Sequence, residues 1–334
     1  MMRIHTFGAA LLGAALLASP AAAQIPDAKT LLTNLGFSSD QIGQVMSGQI
    51  VRGAISPASD RELVAAMAFM VKQTPAQLIP DVKAGVGNKV DESMKGFGTF
   101  TGAGSVTDMA KLTFGSDAQK RANQYLQASP GGDLNLSSDE IASFNALAAQ
   151  SPTPATVEGA VRQALLVRLQ AYQQKGLAGI APYARSSGVR SPADELRTMT
   201  NAAVGLKQYV PHAWQMLNSY PEGKPAGAEE VFRWTHFDAH GTPAISLQHG
   251  IFIPDGDAWV VVQRMFYVSS SLNAEQALLA LLPAQGGTVV VYGNRTSTDQ
   301  VSGWGGAAKR SIGSKVLESQ LESIFQKARS AVGK

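Results

Sequence analysis

The sequence predicts an α+β fold, helix-rich over its first two thirds and finishing in an antiparallel sheet with one long C-terminal helix packed on it. Three observations carry that expectation. Capped segments with apolar residues at helical spacing dominate up to about residue 220. From Glu230 the pattern changes to long apolar runs joined by short turns. Lys309 to Val332 then closes the chain as an amphipathic stretch, with Val316, Leu317, Leu321, Ile324 and Phe325 on one stripe.

Composition sets the limits. Of 334 residues, 16% are charged, against about 25% in an ordinary soluble domain. With 45% apolar residues the chain can bury one or two ordinary cores. A net charge of +3 is too small for a nucleic-acid surface. There is no Cys, which excludes disulfides, a thiol nucleophile and thiolate metal sites. Residues 1–23 have the form of a secretory signal: Arg3, an apolar stretch from Phe7 to Leu17, and Ala21-Ala22-Ala23 before Gln24. We therefore expect cleavage near Ala23, a periplasmic or secreted protein, and no transmembrane segment in the mature chain. Residues 24–334 then form a single α+β domain, or a helical part at 24–220 carrying a small hairpin and a sheet part at 221–334.

Two short helices are expected between Ala28 and Met46, the second opened by Ser38 or Ser39 and closed by Gly48. Gln49 to Ile55 and Glu62 to Val71 read as a hairpin able to join the later sheet, although the Ala and Met content of the second run also suits a helix. Thr74-Pro75 starts another helix, and residues 85–105 read as an irregular, Gly-rich connection. Ser137 to Glu140 is a capping box; Ser138 and Phe144 stand where a calcium loop would need Gly and Glu. Val157 to Gln174 is amphipathic and ends at Lys175-Gly176. A long helix is expected from Pro192 to Leu217. Strands at Glu230–Phe237, Ala244–Ile253 and Ala258–Ser269 follow, then a helix from Asn273 to Leu282 and a strand from Gly287 to Tyr292.

Register carries the functional reading. A turn at Ala239-His240-Gly241-Thr242 pairs His236 with Ile245 and Phe232 with His249, leaving the two histidines about 13 Å apart along the strands, too far for one metal ion. Phe232, Trp234 and His236 then share a face with Ile245, Leu247 and His249. An Asp255-Gly256 turn adds Val260, Val262, Arg264 and Phe266 to that face. The third strand is apolar on both sides, hence central, and Arg264 is its anomaly. A guanidinium there must be paired, reach an edge, or face a site. Glu318 or Glu322 of the closing helix would be a structural partner. As a site, Arg264, His249 and His236 would be polar fixtures between Trp234 and Phe266, orienting an amphipathic acid or headgroup.

Two other segments are candidates. The Gly-rich stretch Gly303 to Ser311 precedes the last helix and could hold an anion with Lys309, Arg310 and Arg295; Ala308 and Arg310 break any Walker A pattern. The loop Gly176 to Arg185 either tucks Leu177 and Ile180 inward or presents Tyr183 and Arg185 to a partner. No nucleophile elbow is present, and the adjacent Glu229-Glu230 would face opposite sides of a strand.

Leu134-Asn135-Leu136-Ser137, Gly176 to Arg185, and Tyr292-Gly293-Asn294-Arg295-Thr296 resemble segments of uncharacterised secreted proteobacterial proteins. Strands followed by a long C-terminal helix resemble, in element order over about 110 residues, helix-grip folds of the START and polyketide-cyclase type. That likeness implies an apolar ligand held between sheet and helix. The expectation is a non-catalytic protein, without cofactor or metal, binding a lipid-like or amphipathic small molecule between its C-terminal sheet and closing helix. The alternatives are a cell-envelope hydrolase or lyase using His249 and Arg264, and an envelope interaction or assembly protein.

Overall fold

The computed structural model describes residues 25–239, 241–303 and 305–332. The expected signal segment lies outside them, apart from which the chain is α+β as expected. The helices are α1 (Ala28–Asn34), α2 (Ser39–Met46), α3 (Pro75–Lys83), α4 (Val86–Val90), α5 (Ala118–Leu126), α6 (Ser138–Ala148), α7 (Pro154–Lys175), α8 (Pro192–Ala202), α9 (Val204–Tyr209), α10 (Pro211–Ser219) and α11 (Gly306–Ala331). The strands are β1 (Val51–Arg52), β2 (Glu62–Val71), β3 (Met94–Thr99), β4 (Tyr183–Ala184), β5 (Val189–Arg190), β6 (Glu229–Ala239), β7 (Thr242–Asp255), β8 (Ala258–Val268), β9 (Ala274–Ala284) and β10 (Gly287–Ser297).

Local chemistry explains the helix ends. Ser38, Thr74 and Ser137 each accept from the backbone N–H three residues on, in reciprocal capping boxes with Gln41, Gln77 and Glu140. Gly176 ends α7 at φ +55°, a conformation L side chains avoid, and a Cβ there would sit 1.7 Å from the Tyr220 carbonyl oxygen. The expected long helix from Pro192 is three helices, broken at Ala203 and at Val210, where Pro211 follows.

Eight strands form one antiparallel sheet in the order β1-β2-β10-β9-β8-β7-β6-β3. The early hairpin does join it, because β2 pairs with β10 along its length. Two expectations need correction. Asn273 to Leu282 is strand β9, hydrogen-bonded to β8 on one side and β10 on the other. Its Ala, Leu and Glu favour a helix in isolation, and pairing on both edges overrides that propensity. The connection at 85–105 holds α4 and β3, whose glycines admit a tryptophan: a Cβ at Gly98 would lie 2.5 Å from Trp234 Nε1.

Two layers cover the sheet. On one face, Val260, Val262 and Ile251 pack with Met216 and Leu217 of α10. The same face receives Leu169 and Tyr172 of α7, and Leu31 and Leu32 of α1. On the other face, Val261, Phe252 and Leu281 pack with Leu78 and Ile79 of α3 and Phe325 of α11. Alternation along β8 thus sends successive valines to opposite cores, each fully buried residue contributing about 1.5–3 kcal/mol.

Candidate functional site

The first hairpin has the expected register: His236 opposes Ile245 and Phe232 opposes His249. The second turn is Gly256-Asp257, so β8 is displaced by two residues from expectation and Arg264 lies directly opposite His249. A bulge follows at Phe266. Arg264, His249 and Phe266 therefore come together, under α7, α8 and α10.

Arg264 is fully buried, and Glu318 and Glu322 are not its partners; both hold Arg52. Its Nε and Nη2 donate to Gln276 Oε1 (3.1 and 3.0 Å), Nη2 also to Thr200 Oγ1 (3.1 Å), and Nη1 to the Leu217 carbonyl (3.0 Å). Thr200 is in the last turn of α8 and Leu217 in the last turn of α10. The cation thus sits at the negative ends of two helix dipoles and is held by neutral oxygens.

Beside it, His249 is also 0% exposed. Its Nδ1 lies 3.1 Å from the Tyr172 hydroxyl and its Nε2 3.0 Å from Glu230 Oε1. The pattern fits a neutral imidazole that accepts from Tyr172 and donates to Glu230. Burial lowers the His249 pKa, against the pull of Glu230. Burial alone would raise Glu230, but hydrogen bonds from His249 and Lys224 outweigh it and hold the carboxyl at about 2. Phe232 stacks on the imidazole with centroids 4.4 Å apart, and Tyr172 stacks on Phe266 at 4.0 Å. Both ring nitrogens are occupied and the ring is sealed, leaving no lone pair for a substrate. Glu229, as expected of its neighbour on a strand, turns the other way to Lys83.

The remaining sequence candidates are dispersed. His236 Nε2 lies 3.2 Å from Arg121, away from His249; burial, then Arg121 and Lys95, lower its pKa to about 4. Trp234 donates to the Asp108 carbonyl. Arg295 binds Glu62 and the Ser56 carbonyl, Arg310 binds the Asp60 carbonyl, and Lys309 is exposed, so the two arginines grip the 56–62 segment from separate sides. Leu177, Ile180 and Tyr183 are buried; Tyr183 donates to the Asn273 carbonyl and Arg185 to Asp299. The Gly176 to Arg185 loop is therefore tucked inward.

The opposite face holds a group that sequence reasoning passed over. One cross-strand row runs Gln248, Met265, Glu275, Thr296, Leu63, and the next runs Gly250, Gln263, Ala277, Asn294, Ala65. Gln248, Gln263, Glu275 and Leu279 are only half-buried in the middle of an eight-stranded sheet, whereas Gln276, on the same strand but facing the helices, is 2% exposed.

The reason is the placement of α11. It lies along β2, where Ser314 Oγ accepts from Val64 N (3.1 Å) and Phe325 meets Phe69 and Tyr292. Arg52 anchors one flank through Glu318 and Glu322, and Glu92 anchors the other through Lys327. Val316, Gln320 and Ile324 share the Lys327 flank by helical spacing. Val316 is 43% exposed. Beside α11, Gln248, Gln263 and Glu275 stand partly exposed among neighbours that are buried, Met265, Ala277, Asn294 and Thr296, so the strip between helix and central strands is a shallow trough with three polar side chains at its surface.

Glu275 is its one floor carboxyl. Burial raises its pKa, and hydrogen bonds from Thr296 and Asn294 only partly offset this. Thr296 Oγ1 lies 2.9 Å from Glu275 Oε2 and 2.8 Å from Asn294 Oδ1, while Asn294 Nδ2 lies 3.1 Å from the Tyr292 hydroxyl. One hydroxyl proton cannot serve both oxygens. Either Glu275 is protonated and donates to Thr296, or the Asn294 amide is reversed and Thr296 donates to the carboxylate. The run Tyr292–Asn294–Thr296–Glu275 is thus a hydrogen-bond chain whose direction follows the charge on Glu275.

Among the described residues no group of three His, Cys, Asp or Glu side chains is placed to hold a metal, and no helix is long and apolar enough to cross a membrane. The chain matches no protein-family model and no curated protein. What remains of the sequence resemblance is the arrangement itself: an antiparallel sheet with a long C-terminal helix packed on it, loosely helix-grip-like.

Proposed function

We propose that the protein binds an amphipathic small molecule in the trough between its C-terminal sheet and α11, without chemistry on the ligand. One observation carries this reading: a stripe of hydrogen-bonding side chains, Gln248, Gln263 and Glu275, is left partly exposed on the central strands beside the partly uncovered helix α11. Folding alone gives no reason to place Glu there, since a carboxyl on a sheet floor loses hydration. Polar fixtures on a largely apolar concave surface are the usual composition of a small-molecule site. The face bearing Arg264 and His249 lends the reading no support, because both side chains are sealed and hydrogen-bonded within the protein; Gln276 Nε2 beside them lacks a partner but is enclosed with them.

Native mass spectrometry after mild purification should show a co-purified small molecule. Gln263→Trp, which projects an indole from a partly exposed position of the floor, should abolish retention while the protein still melts cooperatively. Wild-type protein that is uniformly empty, and whose melting temperature no octyl amphiphile moves, overturns the reading.

A further inference from the structure

We propose that the headgroup taken by the trough is a protonated amine, seated on the Glu275 carboxylate; this rests on the binding reading above. Three features of the floor point to a donor-rich cation. First, the only acid on it has no cationic partner: among the described residues no Lys, Arg or His forms an ion pair with Glu275, and its hydrogen-bonding neighbours, Thr296 and Asn294, are neutral. The cation at the end of the same row, Arg233 opposite Gln248, is turned to the Lys83 carbonyl, and the cations that anchor α11 pair elsewhere, Lys327 with Glu92 and Arg52 with Glu318 and Glu322.

Second, the residues around that acid supply acceptors. Gln263 lies diagonally across the β8–β9 pair from Glu275, and Gln248 lies one strand further along the same row. An ammonium has three N–H donors and no acceptor, and it can engage the carboxylate and two side-chain carbonyls together. An anionic headgroup would instead meet an unpaired carboxylate at short range.

Third, the floor suits neither of the other common cations. A quaternary ammonium needs aromatic faces around it, and Tyr292, the aromatic nearest on β10, is in edge contact with Phe325. A divalent metal would draw on several anionic ligands, and among the described residues no such cluster exists.

The amine also accounts for the hydrogen-bond chain. With an ammonium on Glu275 the carboxylate form is favoured, and the chain settles with Thr296 donating to it.

The test is calorimetric titration at pH 7 with octylamine, octanol and octanoate, each below its micelle concentration, against wild type and Glu275→Gln. For wild type, octylamine should bind about tenfold more tightly than octanol or octanoate, the factor expected of one charge-assisted contact. In Glu275→Gln, octylamine should fall by about tenfold to the level of octanol. Octanoate binding as well as octylamine, or octylamine unaffected by Glu275→Gln, overturns the amine assignment and leaves the trough a binding site. No binding of any of the three overturns the binding reading itself. Should the variant fail to fold, the ranking of the three probes on wild type still decides.

Discussion

Arg264 and Glu275 are near neighbours on adjacent strands, since Arg264 opposes Gln276 and Met265 opposes Glu275. They face opposite sides of the same sheet and have opposite fates. Arg264 lies under three helices with its hydrogen-bonding groups spread over Gln276, Thr200 and Leu217. Glu275 lies beside a helix displaced toward β2 and, among the described residues, has no counter-charge. A charge in an apolar strand is therefore not in itself a site. What separates a site from a structural fixture is incomplete satisfaction together with access.

The largest effect should come from the closed face. Arg264→Ala would open a cavity and leave the Gln276 and Leu217 oxygens without their donor, at a cost of about 3–5 kcal/mol in urea unfolding. A loss under about 1 kcal/mol would mean that the guanidinium is held more loosely than the geometry shows, and the comparison between the faces would fail.

A smaller loss should follow at the edge of the same network. Tyr172→Phe keeps the ring stacked on Phe266 and removes only the hydroxyl that reaches His249 Nδ1. One buried acceptor left unsatisfied costs about 1–3 kcal/mol. Octylamine affinity should not change, because Tyr172 and the trough lie on opposite faces; a matching drop in affinity would show that the faces communicate.

How much of this was legible in the sequence depends on the kind of signal. The β6–β7 register could be read because Ala239 to Thr242 leaves one compact turn, and a correct turn fixes every pair up the hairpin. The second turn was misplaced by one residue, which shifted the pairing by two. Because side chains alternate with period two, Arg264 kept its face although its partner changed from expectation. The partners themselves, Thr200 and Leu217, lie 64 and 47 residues away in sequence, beyond any local pattern. The trough was hidden by two local readings. Asn273 to Leu282 has helix-forming residues, and as a helix it would not align Glu275 with Gln263. A strand that ends at Tyr292 does not bring Asn294 and Thr296 beside Glu275, whereas β10 runs on to Ser297. Both are corrected by pairing partners distant in the chain, β8 for one and β2 for the other. A usable signal was present in the alternation of Tyr292, Asn294 and Thr296, whose polar and aromatic side chains recur at strand period.

The smallest effect, and the sharpest for the comparison, is the sign of Glu275→Gln on stability. Burial raises the folded-state pKa of Glu275 above 4.5. A carboxyl raised in this way contributes stability that is fully present below about pH 4.5 and is lost as pH rises through the folded-state value. At pH 7 the acid is therefore a liability in the unliganded protein, through either the buried charge or the proton it must hold, whereas Gln keeps the size and the hydrogen-bonding reach without that cost. Unliganded Glu275→Gln should melt higher than wild type at pH 7, by roughly 1–3 °C, and the difference should close as the pH approaches 4. A loss of stability at pH 7 would mean that Glu275 has a cationic partner in the unliganded protein. In that case the open face would be satisfied in the same way as the closed one, and the trough would lose its claim to be different.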